Sequence, residues 1–165
     1  MFVINKKNYT LINDYFKNNK TAKAILKILY KLLPSVIFIS YPLMLIYLFI
    51  WQRKDFLIST FVPAVVFILV TILRKLINRQ RPYEKYNIPS VFEKDTIGQS
   101  MPSRHTASAF IISLAILNIN IYLGIIFLVF SFLIALSRLL AGVHFISDVL
   151  AGAVISLLFS IIFLL

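Results

Sequence analysis

Both histidines, Asp148 and most of the arginines of this 165-residue chain fall in three short blocks, which hold the side chains able to do chemistry. The first runs from Arg74 to Pro82, with Arg79 and Arg81 around Gln80. The second is Pro102-Ser103-Arg104-His105, and the third runs from Ser137 through Arg138 and His144 to Asp148. Arginine presents a planar fork of N–H donors that matches phosphate oxygens two at a time. Several forks aimed at one point imply a multiply charged anion. His144 and Asp148 are four apart, which on a helix puts them on one face within hydrogen-bond reach. A carboxylate that takes one ring N–H fixes the tautomer and frees the other nitrogen as base or nucleophile. Asp148 has alternative partners in the arginines. His105 stands at an expected helix start, where free backbone N–H groups and the positive dipole end attract an anion. One histidine can then attack while the other handles the leaving oxygen.

These blocks border long apolar stretches that must position them. The chain is 60% hydrophobic and only 14% charged, with mean hydropathy +0.89, more apolar surface than a water-soluble domain of this length can hide. It reads as an all-α integral membrane bundle. Pro34 to Trp51 and Phe56 to Leu73 carry no charge and form a helical hairpin around residues 52–55, so Arg74 emerges on the same side as the amino terminus. Thr106 to Ser137 is 32 residues without an ionisable group, too long for one crossing. Two spans of about 16 residues with a turn at Asn118 and Asn120 return Arg138 to the face that holds His105. Val143 to Leu165 supplies the last of five spans. Residues 1–33 are lysine-rich and lack the apolar stretch and cleavage site of a signal peptide. Lys23, Lys27 and Lys31 recur every four residues, which fits an amphipathic helix in the membrane interface or equally a solvated lead-in to the first span. The segment 1–33 and a single transmembrane domain, 34–165, are the expected units.

Composition also excludes chemistries. With no cysteine there is no disulfide framework, thiolate metal site or thiol nucleophile. The net charge of +11 would suit nucleic acid in a soluble protein, but beside apolar runs it points to lipid headgroups or a phosphorylated substrate. Taken singly, each site residue has a plainer reading, since membrane histidines are often buried hydrogen-bond partners and basic residues at helix ends anchor headgroups. Their convergence on one face favours chemistry.

The three blocks together, Arg74 to Arg81-Pro82, Pro102-Ser103-Arg104-His105 and Ser137-Arg138 to His144 and Asp148, resemble the signature of the type 2 phosphatidic acid phosphatase superfamily, which includes vanadium haloperoxidases. The resemblance implies a membrane lipid phosphatase that needs no metal or other cofactor. His144 would form a phosphohistidine with Asp148 orienting it, and His105 would protonate the leaving group and then activate water. Arg74, Arg81, Arg138 and Ser103 would hold the phosphoryl oxygens. Two positions depart from the pattern. Arg74 stands where lysine is usual, with Lys75 pointing to a different side, and Arg104 replaces glycine, adding a phosphate contact or narrowing the entrance. Phosphoryl transfer depends mostly on positioning and charge, which arginines supply. The two histidines must differ in protonation, which gives a bell-shaped pH profile. Asp148 raises the pKa of His144 and the arginines lower it, leaving the net sign open.

Active ends drawn toward the lipid boundary favour a phosphate already attached to a lipid: undecaprenyl diphosphate, phosphatidate or phosphatidylglycerol phosphate. Sidedness is contested. All basic residues except Arg53 and Lys54 fall on the active face or the amino terminus, which argues for the cytoplasm. The resemblance implies an extracytoplasmic site, and that side is the expectation adopted. Two other classes compete: a binder or transporter of phosphorylated lipids that holds headgroups without cleaving them, and a structural membrane protein whose arginines only snorkel.

Overall fold

The structure is a computed structural model that describes residues 5–51 and 53–164; expectations for Met1 to Ile4, Gln52 and Leu165 lie outside these. All regular elements among them are helical: α1 (Lys6–Asn18), α2 (Lys20–Lys27), α3 (Leu33–Trp51), α4 (Arg53–Ile77), α5 (Pro82–Tyr86), α6 (Arg104–Ile119), α7 (Ile121–Leu140) and α8 (Ile146–Ser160). A wide π turn, Ile28–Leu32, carries α2 into α3 without a break, and a 3₁₀ turn, Ile161–Leu164, extends α8.

The lysine-rich lead-in is two helices rather than one. Asn19 breaks it: its backbone is extended, its side chain accepts from Ala22 N at 2.9 Å, and its own N–H closes α1 on Tyr15 O. Both asparagines at positions 5 and 19 are therefore N-caps, the usual role of that residue. The lead-in is also docked. Tyr9 donates to Ile88 O (3.2 Å) and Gly142 O (3.4 Å), and Asn13 Nδ2 donates to Pro89 O at 2.7 Å. Gly142 has φ +72°, and a Cβ there would lie 2.6 Å from the Tyr9 ring, so glycine suits both the backbone and the contact.

Helix α6 is the centre of the bundle. Its Ala107, Ile111 and Ala115 pack on Val62, Val66 and Val70 of α4, one turn apart on each helix. Small residues bring α8 close: a Cβ on Gly152 would lie 2.7 Å from Ser103 O, and Ser156 Oγ donates to Ala107 O at 2.7 Å. Ser113 and Ser131 share a hydrogen bond (2.7 Å) between α6 and α7. Pro63 lies inside α4 and has no N–H for the carbonyl four residues back. That carbonyl, Ser59 O, instead accepts from Tyr41 of α3 at 3.0 Å. Leu43, Phe61, Phe132 and Leu157 point outward, as lipid-facing side chains do.

The break in the 32-residue stretch falls at Asn120, whose extended backbone ends α6 and whose side chain caps α7 through Leu123 N. The two helices are not equal. α6 has 16 residues, but α7 has 20, because Arg138 does not end it: the Tyr30 carbonyl accepts from Arg138 Nη2 at 2.8 Å and the Tyr30 ring lies under the guanidinium. Among the described residues, four stretches are long and apolar enough to cross a membrane, Lys20–Trp51, Lys54–Tyr86, Ile121–Leu140 and Ile146–Leu164. α6, about 24 Å at 1.5 Å per residue, is shorter than these, and the expected fifth span rests on it. Single cysteines at Ile97 and Tyr122, both exposed and at opposite ends of α6, should label from opposite sides of the membrane with an impermeant reagent. Labelling from one side only would contradict the hairpin.

Candidate active site

The first turn of α6, the corner 141–145 and the segments flanking α5 meet at one end of the bundle. A backbone bond, Ser103 N to Asp148 O at 2.8 Å, ties the start of α6 to α8. His144 precedes the helix that carries Asp148 rather than sharing its face, since α8 begins only at Ile146. The tight corner around Gly142 still brings Nδ1 to 3.5 Å from Asp148 Oδ2.

Asp148 is wholly buried, and both oxygens of its carboxylate are hydrogen-bonded. Oδ2 accepts from Ser100 Oγ (2.5 Å) and from Phe145 N (2.9 Å), so it also closes the first turn of α8. Oδ1 accepts from Arg79 Nη1 at 2.7 Å, and the same nitrogen reaches Ser147 Oγ at 2.6 Å. The Arg79 guanidinium stacks 4.5 Å above the Phe145 ring. Ser100 Oγ also lies 3.4 Å from His144 Nδ1. Arg79 and Ser100 thus join the site as partners of Asp148, roles the sequence reading did not give them.

Three other arginines are used differently. Arg74, Arg81 and Arg138 are 6%, 3% and 2% exposed, and none forms an ion pair among the described residues. Each donates to one backbone carbonyl: Arg74 Nη1 to Pro102 O (3.0 Å), Arg81 Nε to Gly98 O (3.0 Å) and Arg138 Nη2 to Tyr30 O. The Arg138 Nε is buried without a hydrogen-bond partner. Burying a guanidinium with no counter-ion costs several kcal/mol, so a cluster of them fits a site that awaits an anion. Arg74 and Arg81 are close enough for their charges to act on His144. Lys75 is exposed, on another side of α4 from Arg74.

Ser103 is buried at the N-cap of α6, its hydroxyl accepting from Thr106 Oγ1 at 3.0 Å. His105, in the first helical turn, lies within electrostatic reach of His144 and Arg138. It lines a cavity of about 250 Å³ with Phe38, Phe67, Arg104 and Ser108. Arg104 is not among the buried arginines: it is exposed, with its guanidinium 5.6 Å from the Phe67 ring centroid. Phe38, Phe67 and Ser108 also line a larger cavity of about 520 Å³ between α3, α4 and α6, whose other walls include Leu45, Pro63 and Ala64. The two cavities thus share three wall residues beside His105.

Burial pushes the His144 imidazole down to about 4; Arg81 and Arg74 add to that, while the hydrogen bond and charge of Asp148 oppose it. The open sign resolves downward, because desolvation outweighs the carboxylate. His144 is therefore neutral near pH 7.

The PAP2 superfamily profile matches residues 55–165. No curated protein matches significantly. Among solved structures, Aquifex aeolicus LpxE superposes with TM-score 0.76 at 28% identity, covering 99% of this chain and 96% of that one. The first transmembrane PAP2 type phosphatidylglycerolphosphate phosphatase from Bacillus subtilis gives TM-score 0.57 at 18% identity, over 96% and 93% of the two chains, a likeness of fold.

Two measurements follow from Asp148 and His144. The folded imidazole titrates below its unfolded value of about 6.5, so its contribution to stability is present above that value and is lost as pH falls toward 4. The acid limb of kcat/KM should likewise lie near pH 4; a limb at 6.5 would contradict the burial argument. Asp148→Asn should shift that limb lower still and reduce kcat by about 10²–10⁴-fold through loss of the orienting carboxylate.

Proposed function

The chain belongs to the PAP2 superfamily, and from that premise we propose that it is a membrane lipid phosphatase that cleaves a phosphate monoester or diphosphate through a phosphohistidine on His144. The observation that carries the reading is the set of three buried arginines, Arg74, Arg81 and Arg138, without carboxylate partners beside a neutral imidazole. Their forks bind the non-bridging oxygens and offset the charge that collects there during transfer. Nε2 of His144 attacks phosphorus while the bond to the leaving oxygen breaks. Nδ1 keeps its proton toward Asp148, which stabilises the imidazolium that forms. His105, held as the imidazolium by the charge of the bound phosphate, gives its proton to the leaving oxygen and becomes neutral. It then takes one from the water that attacks the phosphohistidine, releasing inorganic phosphate and restoring both rings. Ser103 and the first N–H groups of α6 add donors for the phosphate, and Arg104 at the cavity mouth adds a further cation.

The lipid class follows from the groove between α3, α4 and α6. It opens on the cavity of His105, is lined almost wholly by apolar side chains, and fits one hydrocarbon tail lying along the bundle. Undecaprenyl diphosphate, phosphatidate and phosphatidylglycerol phosphate all combine such a tail with a phosphate. Residues 34–165 form the phosphatase unit in this reading, and Tyr9 of the lead-in braces the corner that carries His144. The active end faces away from the cytoplasm. The basic residues there that count against this side are partly occupied with structure, as when Lys17 donates to Pro89 O at 3.1 Å.

Purified protein given these lipids in the presence of a chelator should release phosphate, and His144→Ala should abolish release. Binding without turnover would favour a lipid-phosphate carrier instead. Ala64→Trp, which fills the groove from an exposed position, should raise KM for a long-chain substrate by about tenfold, roughly 1.4 kcal/mol, and leave hydrolysis of a short soluble phosphate ester unchanged. An equal effect on both substrates would remove the tail from the groove.

A further inference from the structure

Between α2 and the segment 91–94 lies a cavity of about 750 Å³ that none of the three blocks lines. Lys20, Lys23, Lys27 and Lys31 line one side, and Glu93 and Lys94 line the other. Spacings of three and four residues put the lysines of α2 on one helix face, where like charges repel. None of these five ammonium groups is ion-paired among the described residues, and Glu93 is the single carboxylate in the walls.

A solvated or headgroup-anchoring face would account for the charge alone, but two further observations go beyond it. Tyr30, also in the cavity wall, is buried and interacts with Arg138 of the site. Its ring lies 4.0 Å from the Arg138 guanidinium carbon and 5.0 Å from the Phe92 ring, so the cavity backs directly onto an arginine of the site. Lys94 links the two regions as well. It is half-buried in the cavity wall, and burial brings its ammonium down to about 8, helped by the charges of Arg81, Arg138, Arg74 and Arg104. An anion seated there would relieve the unpaired cations that line the cavity.

We propose that this cavity is a second anion site, which takes a phosphorylated headgroup while the arginine cluster holds the phosphate to be cleaved. It rests on the phosphatase reading only for the second half of that statement. The anion is either a second phosphate on the same lipid or the headgroup of a neighbouring anionic lipid; the chemistry is the same. The test uses full-length protein with Lys23→Gln and Lys27→Gln together, neither residue belonging to the catalytic machinery. Phosphatidate, with one phosphate, and phosphatidylglycerol phosphate, with two, are presented in uncharged micelles and in phosphatidylcholine vesicles with and without phosphatidylglycerol.

The variant should show KM about tenfold higher with kcat unchanged. A rise confined to phosphatidylglycerol phosphate in micelles identifies the substrate's own second phosphate. A rise for both substrates only in vesicles containing phosphatidylglycerol identifies a neighbouring lipid. Unchanged KM under all conditions overturns the proposal. So does an equal rise in Lys6→Gln with Lys7→Gln, which removes the same charge outside the cavity. Lys23→Arg with Lys27→Arg should keep the wild-type KM, which separates a binding defect from misfolding. If wild type turns over neither lipid, the phosphatase reading fails. The cavity is then judged by thermal stabilisation in uncharged micelles by phosphatidylglycerol over phosphatidylcholine, which wild type should show and the Gln variant should lack; equal stabilisation of both proteins overturns it.

Discussion

A carboxylate with no exposure to water, in a chain this apolar, is the constraint on which the rest of the site depends. Asp148 cannot remain ionised there without partners, since an isolated buried charge is far costlier than any single hydrogen bond returns. Its partners come from three separate parts of the chain: Arg79 after α4, Ser100 before α6, and the Phe145 amide at the head of α8. Satisfying Asp148 therefore assembles the site. It fixes the segments on either side of α5, closes the first turn of α8, and holds His144 at the edge of the same carboxylate. Removing any partner leaves a charge unsatisfied, which couples the stability of this end of the bundle to its chemistry.

Charge is divided unevenly around that carboxylate. Arg79 gives its charge to Asp148, whereas Arg74, Arg81 and Arg138 anchor on backbone carbonyls and keep theirs. A carbonyl holds a guanidinium in place without neutralising it. The cluster thus keeps its charge while each member is anchored, an arrangement that suits the phosphate-binding role proposed for it. The same cations and the apolar surroundings keep His144 neutral, the state that the proposed attack on phosphorus requires.

Much of this was legible in the sequence, and the limits are physical. A 32-residue run without charge had to fold back, and Asn120, a natural cap, marks where it does. Spacing and residue type placed His144, Asp148, Arg74, Arg81 and Arg138 at one end, because charged groups collect where the apolar helices stop. The role of Arg79 was out of reach, since it depends on the irregular path of residues 78–81 and 98–103. Asn78, Gly98 and Gln99 there take positive φ, and Glu84 holds the path by accepting from Arg81 N and Gly98 N. No periodicity reports such a path. The equal lengths expected for α6 and α7 failed because a charge usually marks a helix end, whereas the Tyr30 carbonyl and ring accommodate Arg138 within the last turn. The docking of α1 was equally hidden, since it runs through backbone carbonyls at Ile88, Pro89 and Gly142 that carry no side-chain signature.

The central claim is that an imidazole held by a buried, hydrogen-bonded carboxylate forms a bond to phosphorus amid unpaired guanidinium groups. Rapid acid-free quenching of the protein with a lipid labelled in its terminal phosphate, followed by peptide mapping, tests it most directly. The account predicts label on the peptide that contains His144, stable to base and lost in acid, absent from His144→Ala and longer-lived when His105 is replaced by alanine. Phosphate release by wild type with label on no histidine, or on His105 alone, would contradict it.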